Sequence, residues 1–233
     1  MKALIQAGGK GTRLRPITYE IPKPLVPIKK KPIVNHIIEF FARCGVDDIA
    51  LLVSEDHRAD FVRWEKAWKD EFPKAKISIF HEDTPRGTFG GLPIVADWIG
   101  NETFLMTNGD DVKDFDLQAM LRMHQELKPI ATMALFPVER PSDQGVPVRE
   151  GHYITEFLEK PEHPPSNLIN MGVYILEPEV LAHIDSARPA MMIEHDVFPK
   201  LAKDRKLVGY EVKNGRWFSC DTIERWEKAM REW

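Results

Sequence analysis

Cysteine is scarce in this chain: there are two in 233 residues, Cys44 and Cys220, and no Cys-x-x-Cys spacing. That argues against a disulfide framework and a thiolate zinc site, and it points to a reducing compartment. Long apolar runs are missing as well. Nothing reaches the roughly 18 consecutive apolar residues of a membrane span. Met1-Lys2 leads directly into a strand of a few apolar residues, too short for a secretory core. A soluble, cytoplasmic protein with no membrane partner is expected. There is no basic excess: the net charge is −4 and the isoelectric point is near 6.1, so a nucleic-acid backbone would go unneutralised and nucleic acid is not an expected partner. The one basic run, Lys29-Lys30-Lys31, reads as a solvated loop ahead of a helix. None of the eight histidines forms a His-x-x-x-His pair and no Gly-x-Ser-x-Gly occurs, which argues against zinc and serine hydrolases.

What is present is 43% apolar residues with no Ser/Gly linker, repeat or low-complexity tract, which suits a single domain over residues 1–233. Strand-like and helix-like segments alternate through the first half, the pattern of a mostly parallel sheet covered by helices. Strands are expected at 3–6, 49–53, 77–80 and 103–106. Helices are expected at 33–44, opened by Pro32 and stopped by Gly45, then at about 59–72 and 89–98. Phe61, Trp64 and Trp68 fall at helical spacing and are read as core. A helix through Leu127, a strand at 130–137, β-rich segments at 146–158 and 168–176, a helix at 194–203, a strand at 207–212 and a helix at 222–233 complete the chain. Ligands of open α/β sheets gather beyond the carboxyl ends of the strands, so the turn after strand one, the Glu82 segment and Asp110 converge on one edge.

The turn after strand one is the most informative segment: Gln6-Ala7-Gly8-Gly9-Lys10-Gly11-Thr12-Arg13, with Lys23 in Pro22-Lys23-Pro24. Glycine permits positive φ and close approach of backbone N–H groups to an anion, while guanidinium and ammonium supply fixed charge. A polyphosphate is the natural ligand. The dinucleotide fingerprint fails because Arg13 stands where a third glycine belongs, and the P-loop fails for want of Gly-Lys-Ser/Thr after a four-residue spacer. Asp110, in Asn108-Gly109-Asp110-Asp111 directly after a strand, is placed to hold Mg²⁺, which favours one or two carboxylates plus substrate phosphates. Asp111 should point elsewhere.

With Gly9-x-Gly11-x-Arg13, Pro22-Lys23, the 82–91 segment, Gly109-Asp110, Glu159-Lys160-Pro161, Asn170-Met171-Gly172 and Trp217 to Thr222 in order, the chain resembles the sugar-phosphate nucleotidyltransferases, in a short single-domain form without their C-terminal tails. The resemblance implies a Rossmann-like α/β fold with a β-rich sugar-binding portion. Residues 1–116 would be mainly nucleotide-binding and 117–233 mainly sugar-binding. It implies Mg²⁺-dependent transfer of a nucleotidyl group from a nucleoside triphosphate to a sugar 1-phosphate. Arg13, Lys23 and Asp110 would be catalytic. Gln6, Ala7, Gly8, Gly9, Gly11, Thr12, Arg13, Glu82, Gly87 and Asn108 would bind nucleotide, and Gly145, Glu159, Lys160, Asn170 and Gly172 would bind sugar phosphate. Relatives are often dimers or tetramers, so a homo-oligomer is allowed.

At the second metal ligand the chain departs from the commonest pattern. Most relatives end Trp-x-Asp-x-Gly-Thr; here Trp217-Phe218-Ser219-Cys220-Asp221-Thr222 has serine in the aspartate position and Asp221 two residues on. Two residues along an extended segment restore the same facing, so Asp221 is the expected partner of Asp110 at the metal, as in relatives resembling glucose-1-phosphate cytidylyltransferases. The competing role is N-cap of the last helix. Loss of the usual aspartate also leaves open a catalytically silent nucleotide-sugar-binding regulatory subunit, and a cytidylyltransferase for a non-sugar phosphate is the third alternative.

Overall fold

A computed structural model describes all 233 residues. In chain order the elements are β1 (Lys2–Gln6), β2 (Pro27–Ile28), β3 (Lys31–Pro32), α1 (Ile33–Arg43), β4 (Asp48–Ser54), α2 (Arg58–Trp68), β5 (Lys76–Glu82), α3 (Gly87–Gly90), α4 (Leu92–Ile99), β6 (Phe104–Asn108) and β7 (Asp111–Phe115). They continue with α5 (Leu117–Leu127), β8 (Ala131–Pro137), β9 (Gly145–Glu150), β10 (Tyr153–Glu159), β11 (Leu168–Leu176), α6 (Ile193–Asp196), α7 (Phe198–Lys203), β12 (Leu207–Glu211), β13 (Gly215–Ser219) and α8 (Ile223–Glu232). Nine strands follow the order β5-β4-β1-β6-β11-β8-β12-β10-β9, and β13 pairs with β7 in a separate ribbon. This is the α/β architecture expected. No helix is long and apolar enough to cross a membrane.

The chain divides into two compact units, residues 1–85, 107–114 and 216–233 forming the first and residues 86–106 and 115–215 the second. In the first, β1, β4 and β5 are parallel, with Leu4 opposite Ala50 and Ala50 opposite Ser78. Ala3, Leu4 and Ile5 are fully buried, as a short apolar run in a covered parallel strand requires. α1 buries Ile33, Ile37, Phe40 and Phe41 and stops before Gly45, whose φ is +78°. Phe61 and Trp64 of α2 are core, but Trp68 is only half-buried, and the expected helix ends there in a 3-10 turn over Lys69–Glu71. Lys29 and Lys30, both at positive φ, form the tip of the β2–β3 hairpin in solvent, and Lys31 pairs with Glu39.

In the second unit β8 pairs antiparallel with β11 and parallel with β12, while β10 pairs antiparallel with β9 and β12. Two expected helices are each broken in two. Pro93 and Pro199 lack the N–H groups that would bond back to Phe89 and His195, so α3 gives way to α4 and α6 to α7. Cys220, buried in the first unit, has its thiol pushed up to about 12 by burial and by the Asp111 charge, so it is an inert core group.

Candidate active site

In the first unit, β1 releases the chain into the glycine-rich turn where Ala7 N–H donates to Leu52 O at 2.7 Å. A Cβ on Gly8 would meet Ser54 N at 3.3 Å and Glu82 Oε2 at 3.4 Å, so the turn runs tight across the ends of β4 and β5, against the buried Glu82 carboxyl. Nothing lies within 4 Å of a Cβ on Gly9, where the turn faces open space. Gly11 takes φ +58° and its carbonyl accepts from Thr18 Oγ1 at 2.8 Å. A 3-10 turn over Thr12–Leu14 follows; Leu14 is buried and Arg13 projects with a side chain 68% exposed.

Two cation–carboxylate pairs meet this turn. Lys23 Nζ, its side chain 7% exposed, lies 2.6 Å from Asp110 Oδ2, and Arg13 Nη1 lies 2.6 Å from Asp221 Oδ2. Asp110 is aimed by the turn between β6 and β7. Gly109 N–H donates to Gln6 O at 2.9 Å, and a side chain there would sit 2.6 Å from that oxygen, so glycine is what lets the turn dock on the end of β1. The buried Lys113 ammonium braces the turn from beneath, donating to Thr107 Oγ1 at 2.9 Å and to Asn108 O at 3.3 Å. Asp111 points elsewhere, as expected: Trp217 Nε1 donates to its Oδ2 at 3.3 Å.

The charges interlock. Burial works to strip Lys23 of its proton, but Asp110, Asp111 and Asp221 outweigh it and its pKa lies above the ordinary value. Packing opposes ionisation of Asp110, yet Lys23, Lys113 and Arg13 hold its carboxyl below the usual range. Asp111 goes the other way, raised to about 6 by burial and by the neighbouring Asp110 charge. Asp221 is lowered despite burial because Ser219 donates to Oδ1 at 2.9 Å and Arg225 and Arg13 stand against it. The cap role considered for Asp221 falls to its neighbour: Thr222 Oγ1 caps α8, accepting from Arg225 N–H at 3.3 Å.

The other expected residues lie in the second unit. Gly87, at φ +76°, sits where a Cβ would be 2.4 Å from Met191 O, so packing alone accounts for its being glycine. Glu159 pairs with Gly145 across β10 and β9, and a Cβ on Gly145 would lie 3.1 Å from Glu159 Oε2 and 2.3 Å from the Phe157 ring. Lys160, at φ 49°, turns the chain out of β10; its N–H donates to Gln144 O at 3.1 Å and its Nζ lies 3.7 Å from Glu159 Oε1. Register shifts in β11 between Asn170 and Tyr174, and inside that irregularity Gly172 takes φ +70° and donates its N–H to Asn170 Oδ1 at 2.9 Å. Lys113 and Arg225 escaped the sequence reading. Alternation of Asp111 and Lys113 on one face of β7 was the available signal.

The family model for nucleotidyl transferases matches residues 2–231. The chain belongs to that family. Among nucleotidyl transferases it is 39% identical over 221 residues to the mannose-1-phosphate guanylyltransferase catalytic subunit beta of Danio rerio, and 36% identical over 223 residues to the mannose-1-phosphate guanyltransferase of Aspergillus oryzae. Both alignments cover 93% of this chain, which spans 60% of the length of each relative. The fold is similar to that of UDP-glucose pyrophosphorylase solved with UDP-glucose, at TM-score 0.82 and 28% identity, covering 99% of this chain and 97% of that one. A Bacillus anthracis protein solved with sucrose and described as a glucose-1-phosphate thymidylyltransferase gives TM-score 0.89 at 26% identity, covering 99% and 94%.

Proposed function

We propose that this nucleotidyl transferase joins a nucleoside triphosphate to a sugar 1-phosphate, giving a nucleoside diphosphate sugar and pyrophosphate, with GTP and mannose 1-phosphate as the first pair to test. The observation that carries the reading is the double ion pair at the glycine-rich turn, Lys23 on Asp110 and Arg13 on Asp221. It keeps two phosphate-binding cations and two ionised carboxylates ready at one turn. Hard, ionised carboxylate oxygens, together with substrate phosphates, are the donors Mg²⁺ favours, so Asp110 and Asp221 are the residues that would hold it once Lys23 and Arg13 turn to the phosphates. The chemistry it would supply there is neutralisation of phosphate charge and polarisation of the α-phosphate.

The chain's own groups supply positioning and charge, which is most of what in-line phosphoryl chemistry requires. Backbone N–H groups from Gly8 to Thr12 cradle the phosphates, and the exposed Arg13 takes the β- and γ-phosphates that depart as pyrophosphate, leaving Asp221 as it does so. Lys23 holds the α-phosphate, on which the sugar phosphate oxygen forms its new bond as the bond to the β-phosphate breaks. On the base side of the first unit stand Gln6, Gly8, Glu82 and Asn108; Glu82 suits an amino-bearing base because a carboxylate accepts. Glu159 accepts from sugar hydroxyls, Lys160 meets the 1-phosphate, and Asn170 supplies its side-chain amide, oriented by Gly172, with Gly145 beside Glu159. The test is pyrophosphate release from GTP, CTP, UTP, dTTP and ATP crossed with mannose and glucose 1-phosphates, with Mg²⁺ and with chelator. Turnover with GTP and mannose 1-phosphate that chelator abolishes is expected. Nucleotide-sugar binding without turnover for any pair would replace the enzyme with a silent regulatory subunit, the reading that Ser219 in the aspartate position favours.

A further inference from the structure

Two backbone N–H groups in the second unit are relayed through side chains onto a single carboxylate. At one end, Ile193 N–H donates to Thr88 Oγ1 at 3.0 Å, and Thr88 Oγ1 donates to Glu194 Oε2 at 2.8 Å. At the other, Gly172 N–H donates to Asn170 Oδ1 at 2.9 Å, Asn170 Nδ2 donates to Tyr174 OH at 2.8 Å, and Tyr174 OH reaches Glu194 Oε1 at 3.5 Å.

The directions of these bonds are not free. An N–H can only donate, so Gly172 forces the amide oxygen of Asn170 toward itself and the amide nitrogen toward Tyr174. Tyr174 must then accept from Asn170 and send its own proton to Glu194. Ile193 imposes the same polarity on Thr88. Both chains therefore arrive at Glu194 with a donor, and an ionised carboxylate is the side chain that accepts at both of its oxygens. It does so where close packing and the nearby Glu159 charge raise its pKa, an expensive place for a negative charge.

We propose that Glu194 is a positioning residue for sugar selection: by accepting at the end of both chains it holds Tyr174 and Asn170 in the orientation that the Gly172 N–H sets, and with it the pattern of donors and acceptors that the Asn170 amide offers to sugar hydroxyls. The inference rests on the assignment of Asn170 and Gly172 to the sugar 1-phosphate. A site built to match hydroxyl polarity rejects an epimer because a mismatched hydroxyl leaves buried polar groups unpaired.

The decisive variant is Glu194→Gln, which keeps shape but puts a donor where a donor already points. Tyr174→Phe, which removes one oxygen from the relay and nothing else, covers the case in which the first variant does not fold. Steady-state kinetics on the intact chain should show kcat/KM for the preferred sugar 1-phosphate falling about tenfold for either change, the KM for the triphosphate staying within about twofold, and discrimination against the 2-epimer shrinking. The double variant should be no worse than the single ones, since both break one relay. Wild-type sugar KM and epimer discrimination in Glu194→Gln and Tyr174→Phe, alongside a raised sugar KM in Asn170→Ala, would overturn the inference and leave the proposed function standing. Equal losses for both substrates would overturn it too, as a general packing defect. Absence of turnover in the wild type with every sugar 1-phosphate would remove the parent reading and this one with it.

Discussion

Asp221 accepts from Ser219, Arg225 and Arg13 at once, while its neighbour Thr222 caps the helix that follows. The division of labour leaves the aspartate dispensable as the cap of that helix. Asp221→Asn should lower kcat/KM about a hundredfold in the pyrophosphate assay and shift the melting temperature little, and Ser219→Ala should be mild. A large drop in melting temperature with unchanged specific activity would instead mark Asp221 as structural. That Asp221 faces the same way as Ser219 was legible, because two steps along an extended segment preserve facing. Lys113 was not: Asp-Val-Lys-Asp reads as an exposed turn, and the lysine is buried only because β7 pairs with the distant β13.

The titration of Asp111 follows from the same burial. Its folded-state pKa of about 6 lies above the unfolded value near 3.9, so between about pH 4 and 6 the folded chain holds a proton more firmly than the unfolded one. This group therefore costs stability as pH rises through that window. Asp110 and Asp221, shifted down, contribute stability that is present above the unfolded carboxylate pKa and lost as pH falls below about 4, outside the window of Asp111. Asp111→Asn, compared with the wild type by urea denaturation at pH 4.5 and 7 in chelator, should gain stability relative to the wild type as pH rises. A constant difference between the two would contradict the assignment.

Elements dominated by apolar residues, β1, β4, β6, β8 and β11, were visible in the sequence because burial on both faces leaves few polar interruptions. The β7–β13 ribbon was hidden for the opposite reason: its residues, Asp-Val-Lys-Asp-Phe and Gly-Arg-Trp-Phe-Ser, carry no run of apolar character. Apolar periodicity also ran straight through Pro93 and Pro199, where hydrogen bonding could not follow. At α3 the chain approaches Met191 so closely that Phe89 and Gly90 N–H both donate to its carbonyl, at 2.9 and 3.2 Å, and Gly87 must stay bare. Gly87→Ala should destabilise by about 2 kcal/mol or more in chemical denaturation, from backbone strain and a clash with a carbonyl that cannot move alone. A rise in triphosphate KM without that loss would return Gly87 to a purely base-contacting role.

At the scale of the whole molecule, the charged groups assigned to phosphate and the residues assigned to sugar hydroxyls belong to different units. Phosphate-facing charge, from Arg13, Lys23, Asp110 and Asp221, belongs to the first, and the hydroxyl-reading residues Glu159, Asn170 and Gly172 to the second. Sequence order alone did not reveal this partition, because the first unit collects residues 107–114 and 216–233 from far along the chain. The four charged groups assigned to phosphate cancel before any substrate arrives. A nucleoside triphosphate approaching them meets little long-range attraction, so added salt should hardly slow its capture. Under the proposed function, control passes to the moment of contact, when Arg13 and Lys23 would trade carboxylate for phosphate and the rate would be set by that exchange of partners rather than by diffusion down a field.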